Sequence, residues 1–193
     1  SADKLESKLI VAKKRGKLPK VVIPVHLSGQ SCEMEKINKL SKKYGFKIIE
    51  DASHSIGARY KGEPVGNCMY SDITVFSFHP VKIITTCEGG MCLTNDPELS
   101  ILLGRFRSHG ITRHASEMTK TPDGAWYYEQ LNLGLNYRMN DVQAALGLSQ
   151  MDRLDEFIDK RRAIAKRYDE LLRNSIVNIP LQHNDTRSSF HLY

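Results

Sequence analysis

Residues 71–90 read SDITVFSFHPVKIITTCEGG. The first half has the makeup of a buried strand. Ile73, Val75, Phe76 and Phe78 are β-branched or aromatic, types that suit a pleated, covered surface. Pro80 ends the run, because it has no N–H to offer a sheet ladder. Lys82 follows two residues later. Glu88-Gly89-Gly90 closes the stretch, where backbone without a Cβ can turn freely or approach another group closely. A lysine on a loop directly after a buried strand is an uncommon placement. Partly desolvated, its amine loses basicity and becomes a nucleophile able to form a Schiff base with a carbonyl. Taken alone, Lys82 reads as a solvated loop residue, as most lysines are. The functional reading rests on what accompanies it.

Working back from residue 71, Val21-Val-Ile-Pro-Val-His26 is a continuous apolar run, expected to be a strand buried on both faces. Met34, Ile37, Leu40 and Tyr44 recur at helical spacing with lysines opposite, and Gly45 closes that helix. Phe46 to Glu50 is the next strand. Strand, helix and strand from 21 to 50 make a βαβ crossover of ordinary length, which implies parallel pairing. Before it, Leu5, Leu9, Ile10 and Ala12 mark a helix that Gly16 stops. Residues 57–66 are rich in turn formers.

Working forward, Met91 to Thr94 is a short strand. Asn95-Asp96-Pro97 opens a helix with an acidic cap and a first-turn proline, running to about Ser108. Residues 110–136 show little periodicity, and a loop of that length in a compact domain is usually functional. From Asn140 one long helical pattern runs through Val142, Leu146, Leu154, Ile158, Ala165 and Leu172. Its Arg/Lys-rich stretch 160–167 is expected to be a solvated face. After Asn174 the chain reads as loop or strand. The expected fold is α/β, a predominantly parallel sheet flanked by helices. Residues 1–150 form most of one large domain, and 151–193 a linking helix and the start of a small one.

Hydrophobic residues make up 40 % of the chain and charged residues 26 %, a globular composition, and no apolar run approaches the roughly 20 residues of a membrane helix. The first twenty residues are charged throughout and lack the apolar core of a signal peptide. Cysteines at 32, 68, 87 and 92 show no CxxC pair and no metal spacing, which suits a reducing cytoplasm. The formal charge of +6 mildly favours anionic ligands. Lysines and arginines are spread over helices rather than gathered in one arm, so nucleic acid is not the leading partner.

Asp51 sits at the C-terminal end of a parallel strand, the edge where open α/β sheets bind ligands. By itself it could cap a turn, bind a metal or hydrogen-bond a ribose. With Lys82 at the end of another strand of the same sheet, the pair has the two features of a pyridoxal phosphate site. One is an amine for the cofactor aldehyde, the other a carboxylate that keeps the pyridine nitrogen protonated. Ser77, at the strand end five residues before Lys82, could donate to a phosphate.

The strings EDASHSIGA, SDITVFSFHPVK, TTCEGGMCLTND, RSHGI and GLNYRMNDVQAALGLSQ together resemble the DegT/DnrJ/EryC1/StrS sugar aminotransferases, over nearly the whole chain. The likeness is greatest to the branch that makes UDP-4-amino-4,6-dideoxy-N-acetyl-β-L-altrosamine for pseudaminic acid. The resemblance implies the large domain of a fold-type I enzyme dependent on pyridoxal 5′-phosphate. It implies Lys82 as the Schiff-base and proton-transfer lysine, Asp51 on the pyridine nitrogen, His54 against the cofactor ring and Ser77 on its phosphate. Asn136 is expected to reach the cofactor phosphate of a second subunit, so that a homodimer shares its sites; the plain alternative for it is a helix cap. The implied substrates are a UDP-4-keto-6-deoxy sugar and L-glutamate, in a ping-pong exchange. Relatives also carry an earlier segment with a Gly-Thr phosphate loop and a stacking aromatic, and a fuller small domain. Neither is seen here, so an internal fragment, inactive alone, is expected. Two other readings stay open: a sugar-dehydrating relative, in which His replaces the lysine, and a non-catalytic nucleotide-binding domain. No G-x-G-x-x-G follows a strand to support the second.

Overall fold

The computed structural model describes residues 1–193. Its contacts divide the chain into two units, residues 1–95 with 142–193, and residues 96–141.

The larger unit is built on a four-stranded sheet. Helix α1 (Ala2–Lys14) is capped by Ser1, whose Oγ accepts the Lys4 N–H. Strand β1 (Val21–Val22) leads to helix α2 (Met34–Tyr44), which ends on Gly45 in the left-handed region at φ 79°, where a Cβ would be strained. Strand β2 (Lys47–Asp51) then pairs parallel with β1, as the crossover from 21 to 50 requires. Leu9 of α1, Met34, Ile37 and Leu40 of α2, and Phe46 and Ile48 beside them form the core on one face of the sheet.

A hairpin of β3 (Arg59–Tyr60) and β4 (Glu63–Pro64) turns through Lys61 and Gly62, both at positive φ, as tight hairpin turns demand. Strand β5 (Ile73–Ser77) pairs parallel with β2, and β6 (Gly90–Leu93) pairs antiparallel with β5, giving the order β1-β2-β5-β6. The connection from β5 to β6 contains no helix, so the chain cannot cross over to a parallel neighbour and returns antiparallel.

In the smaller unit, α3 (Pro97–Arg107) begins as its sequence promised. Asp96 accepts the N–H groups of Glu98 and Leu99, and Pro97 fills the first turn. Strands β7 (Ile111–Thr112) and β8 (Glu129–Gln130) form a two-stranded ladder. Gly110 and Gly134 let two backbone segments touch: a Cβ on Gly134 would lie 2.1 Å from the Gly110 nitrogen. Trp126, Leu133 and Tyr137 are exposed on this unit.

Three expectations are corrected. The strand over 21–26 pairs only at Val21–Val22, with a single further bridge at Val25, and Val21, Ile23 and Val25 are exposed. Its apolar run suggested burial on both faces, but β1 is the outer strand of this sheet and Pro24 interrupts its ladder. The helix from Asn140 is two helices, α4 (Asp141–Met151) and α5 (Leu154–Leu172), broken at Asp152-Arg153 with neither Gly nor Pro to announce it. The two serve different partners. Gly147 of α4 lies against Thr86, while Ile158 of α5 fills the space above Gly57. Finally, Arg161 and Arg162 in the basic stretch of α5 are not simply solvated. They donate to the carbonyls of Phe190, His191 and Ser188 near strand β9 (Thr186–Arg187), which pairs with β3.

Leu9→Ala in the full-length protein should cost about 2–4 kcal/mol, because it leaves a cavity between α1 and α2. Its neighbour Ile10, 45 % exposed, should cost less than about 1 kcal/mol on the same change. The shift of the urea midpoint checks both.

Candidate active site

Register decides which side chains meet at the sheet edge. Ile49 pairs with Ile73 and Asp51 with Val75 across β2 and β5. Paired residues of neighbouring strands share a face, and alternate residues along a strand share it too. Asp51, Val75 and Ser77 therefore line one face at the C-terminal end of two parallel strands. Side chains there are only half-buried, while Ile48, Glu50, Thr74 and Phe76 on the opposite face are buried. The half-open face is the one available to a ligand.

Asp51 is fixed by its backbone: its N–H donates to Pro24 O, and its carbonyl accepts the His26 N–H. Its carboxylate Oδ1 accepts the Ser53 N–H at 3.1 Å, which leaves Oδ2 for another partner. Ser77 Oγ accepts the His79 N–H at 3.5 Å, where the chain leaves the sheet.

The lysine loop, residues 78–89, is anchored throughout. Phe78 N–H donates to Gly89 O and Thr86 N–H to Phe78 O, closing the loop at its base. Ile83, Ile84 and Thr86 are buried, and Lys82 itself is half-exposed without an ion pair. From α4, Gln150 Oε1 accepts the Thr85 N–H at 3.0 Å, and Gln143 Nε2 donates to Glu88 O at 3.0 Å. Gly90 has to be small, since a Cβ there would lie 2.8 Å from the Phe76 carbonyl. Glu88-Gly89-Gly90 thus shapes the loop, as the sequence suggested.

His54 lies after β2. Its Nδ1 accepts the Ser28 N–H at 3.3 Å, so a neutral ring carries its proton on Nε2. Burial and the Lys82 charge lower its basicity, and Asp51 partly restores it. Its ring lies 4.4 Å, centroid to centroid, from His191. Behind β2, on the core face, Glu50 accepts hydrogen bonds from His26 Nε2 at 2.8 Å, from Thr74 Oγ1 at 3.2 Å and from Ser71 Oγ. His26 Nδ1 in turn accepts the Cys32 N–H at 3.2 Å, which fixes its tautomer. Burial opposes the charge on Glu50, but the donors outweigh it and hold its carboxyl below the usual range. A depressed carboxyl supports the fold above its unfolded pKa and loses that support as pH falls through the folded one.

The structure therefore brings Asp51, His54, Ser77 and Lys82 into one unit. Asn136 lies in the other, exposed and bridged to Ser108. Sequence reading missed His191, Ser28 and the two α4 glutamines. No periodicity marks any of them, because each acts through a contact distant in sequence.

Asp51 and Ser77 thus stand at the C-terminal ends of two neighbouring parallel strands, with Lys82 on the loop just beyond, at the edge where α/β sheets bind ligands. The DegT/DnrJ/EryC1/StrS aminotransferase family model matches residues 2–193, and the chain belongs to that family. A UDP-4-amino-4,6-dideoxy-N-acetyl-β-L-altrosamine transaminase of Campylobacter jejuni is 39 % identical over 191 residues, covering 98 % of this chain and 47 % of that protein. The solved structure of Helicobacter pylori PseC, an aminotransferase involved in the biosynthesis of pseudoaminic acid, superposes with a TM-score of 0.81 at 36 % identity, over 92 % of this chain and 45 % of that one. The PLP-form of a sugar aminotransferase from Streptococcus pneumoniae gives a TM-score of 0.75 at 31 % identity, over 92 % and 47 %. The chain spans about half the length of the curated relatives it matches.

Gln150→Ala should leave the Thr85 N–H without its acceptor, at a cost of about 1 kcal/mol. Hydrogen exchange at the Thr85 amide should quicken while amides of β2 keep their protection.

Proposed function

We propose that this chain is part of a pyridoxal-phosphate-dependent nucleotide-sugar aminotransferase. In this reading it moves an amino group from L-glutamate to C4 of a UDP-linked 4-keto-6-deoxy-hexose. The product is UDP-4-amino-4,6-dideoxy-N-acetyl-β-L-altrosamine, on the route to pseudaminic acid. The observation that carries the reading is Lys82 on an anchored loop, one strand from Asp51 and at the same sheet edge. Residues 1–150 are read as most of the cofactor domain, and 151–193 as the lead into a small domain.

The side chains fit the cofactor. Asp51 keeps one carboxylate oxygen for the pyridine nitrogen, Ser77 Oγ offers a donor at the strand end for phosphate, and His54 supplies a flat, neutral face. Pyridoxal phosphate, when bound, supplies an aldehyde for an amine and an electron sink for the adjoining carbon. Lys82 Nζ would anchor it, and the same amine would hold and return a proton at the reacting carbon. Asp51 favours the protonated pyridine by its charge, which an amide could not do. The anchored loop keeps Nζ from wandering between steps.

Lys82 counts against the sugar-dehydrating relative, in which that position is His. The binding-module reading predicts a colourless protein without pyridoxal phosphate. A cytoplasmic place agrees with soluble substrates, and no helix is long and apolar enough to cross a membrane.

The deciding experiment incubates the full-length protein with glutamate and a panel of UDP-4-keto sugars and follows the amino product by mass. Lys82→Ala should abolish turnover while leaving the fold and some non-covalent cofactor binding. Turnover near the parent rate would remove Lys82 from the chemistry.

The reading includes a homodimer in which Asn136 serves the partner's cofactor phosphate. Exposed Leu133 and Tyr137 close to Asn136 in sequence support an interface there. Mixing full-length Lys82→Ala and Asn136→Ala chains should then partly restore activity, since one site of each mixed dimer carries both defects and the other neither. If mixed dimers form and nothing returns, Asn136 acts within its own chain.

A further inference from the structure

His191 has no part in the mechanism above, yet the chain goes to some length to place it. Phe190, directly before it, has φ 46°, a left-handed conformation that bulky residues rarely adopt. Arg161 Nη1 grips the carbonyls of Phe190 and His191 at 3.1 and 3.2 Å, and Arg162 grips that of Ser188. Ser189 Oγ donates to the His54 carbonyl at 3.0 Å, and the Ser189 N–H donates to Gly29 O. Gly29 leaves no room for more: a Cβ there would lie 2.6 Å from Ser189 Oγ. The result is an imidazole set against the His54 ring at 4.4 Å and 37°. Its Nδ1 is buried without a hydrogen-bond partner. A buried, unpartnered nitrogen and a strained neighbour are both costly, and native chains keep such features where something depends on them.

We propose that His191 is a positioning residue, whose ring fixes the plane of the His54 imidazole against the cofactor. This rests on the reading of His54 given above. Two contacts then define His54. The Ser28 N–H sets its tautomer through Nδ1, and the His191 ring sets its tilt. Positioning of this kind needs an uncharged neighbour, because a second positive charge beside Lys82 would repel. Burial, His54, Lys82 and Arg161 together push His191 down to about 4, so it is neutral through the physiological range.

The test uses the full-length protein with ¹⁵N-histidine labelling and the variants His191→Ala, His191→Leu and His191→Phe. In the cofactor-free protein, the His54 ring signals should shift and broaden in the Ala and Leu variants. They should stay near those of the parent in the Phe variant, which keeps an aromatic face. Titration of each protein with pyridoxal phosphate should show the dissociation constant rising about tenfold for Ala and Leu and about twofold or less for Phe. If the Ala variant does not fold, Leu, close in volume, carries the comparison. Unchanged His54 signals and unchanged cofactor affinity in a folded Ala or Leu variant would overturn the proposal. So would a lower melting temperature as the sole effect. A parent protein that binds no pyridoxal phosphate would instead overturn the functional reading, and the His54 signals of the cofactor-free variants would still judge the ring contact.

Discussion

The parallel pairing of β2 with β5 is the constraint on which the rest depends. Side chains alternate along a strand, so a slip of one residue would send Asp51 into the core and bring Glu50 out to the ligand face. Two sets of polar contacts oppose that slip. On the core face, Glu50 of β2 is bonded to Thr74 of β5 and to Ser71, and also to His26. At the start of the pair, Asp72 Oδ2 accepts the Ile48 N–H at 2.8 Å, and its own N–H returns to the Ile48 carbonyl. A buried carboxylate with three donors tolerates no shift, because any shift strands a charge away from water. Glu50 and Asp51, adjacent in sequence, thus divide the work. One locks the register, and the other is displayed by it.

The second consequence of this pairing concerns the loop. Because β6 returns beside β5 instead of crossing over, the twelve or so residues between them must close on themselves. Backbone bonds at Phe78 and the small residue at position 90 close the base. Two glutamines of α4 hold the far side, and α4 ends at Met151, before α5 begins at Leu154. Lys82 is thereby a half-exposed side chain on a backbone anchored at both ends of its loop.

Much of this was legible in the residues. The βαβ unit, the cap at Asp96, the stop at Gly45 and the strand at 73–77 follow from local rules, and each was found where expected. Apolar content misled at Val21–His26, since a hydrophobic run reports what a segment could bury and not what covers it. Periodicity misled at Asp152, where one continuous helical pattern spans two helices with different neighbours. Charge misled at Arg161 and Arg162, whose partners lie about 26 to 30 residues on.

By itself the sequence determined the residue types at the sheet edge and the family: a carboxylate at one strand end and a lysine after another. Those features are local, and the strand ends bring them to one edge by parallel topology alone. Only the tertiary structure decided that Asp51 and Ser77 share a face, that α4 clamps the lysine loop, and that His191 lies against His54. Each of these depends on register or on a contact between residues far apart in the chain. A linear pattern of residue types carries no record of such distances.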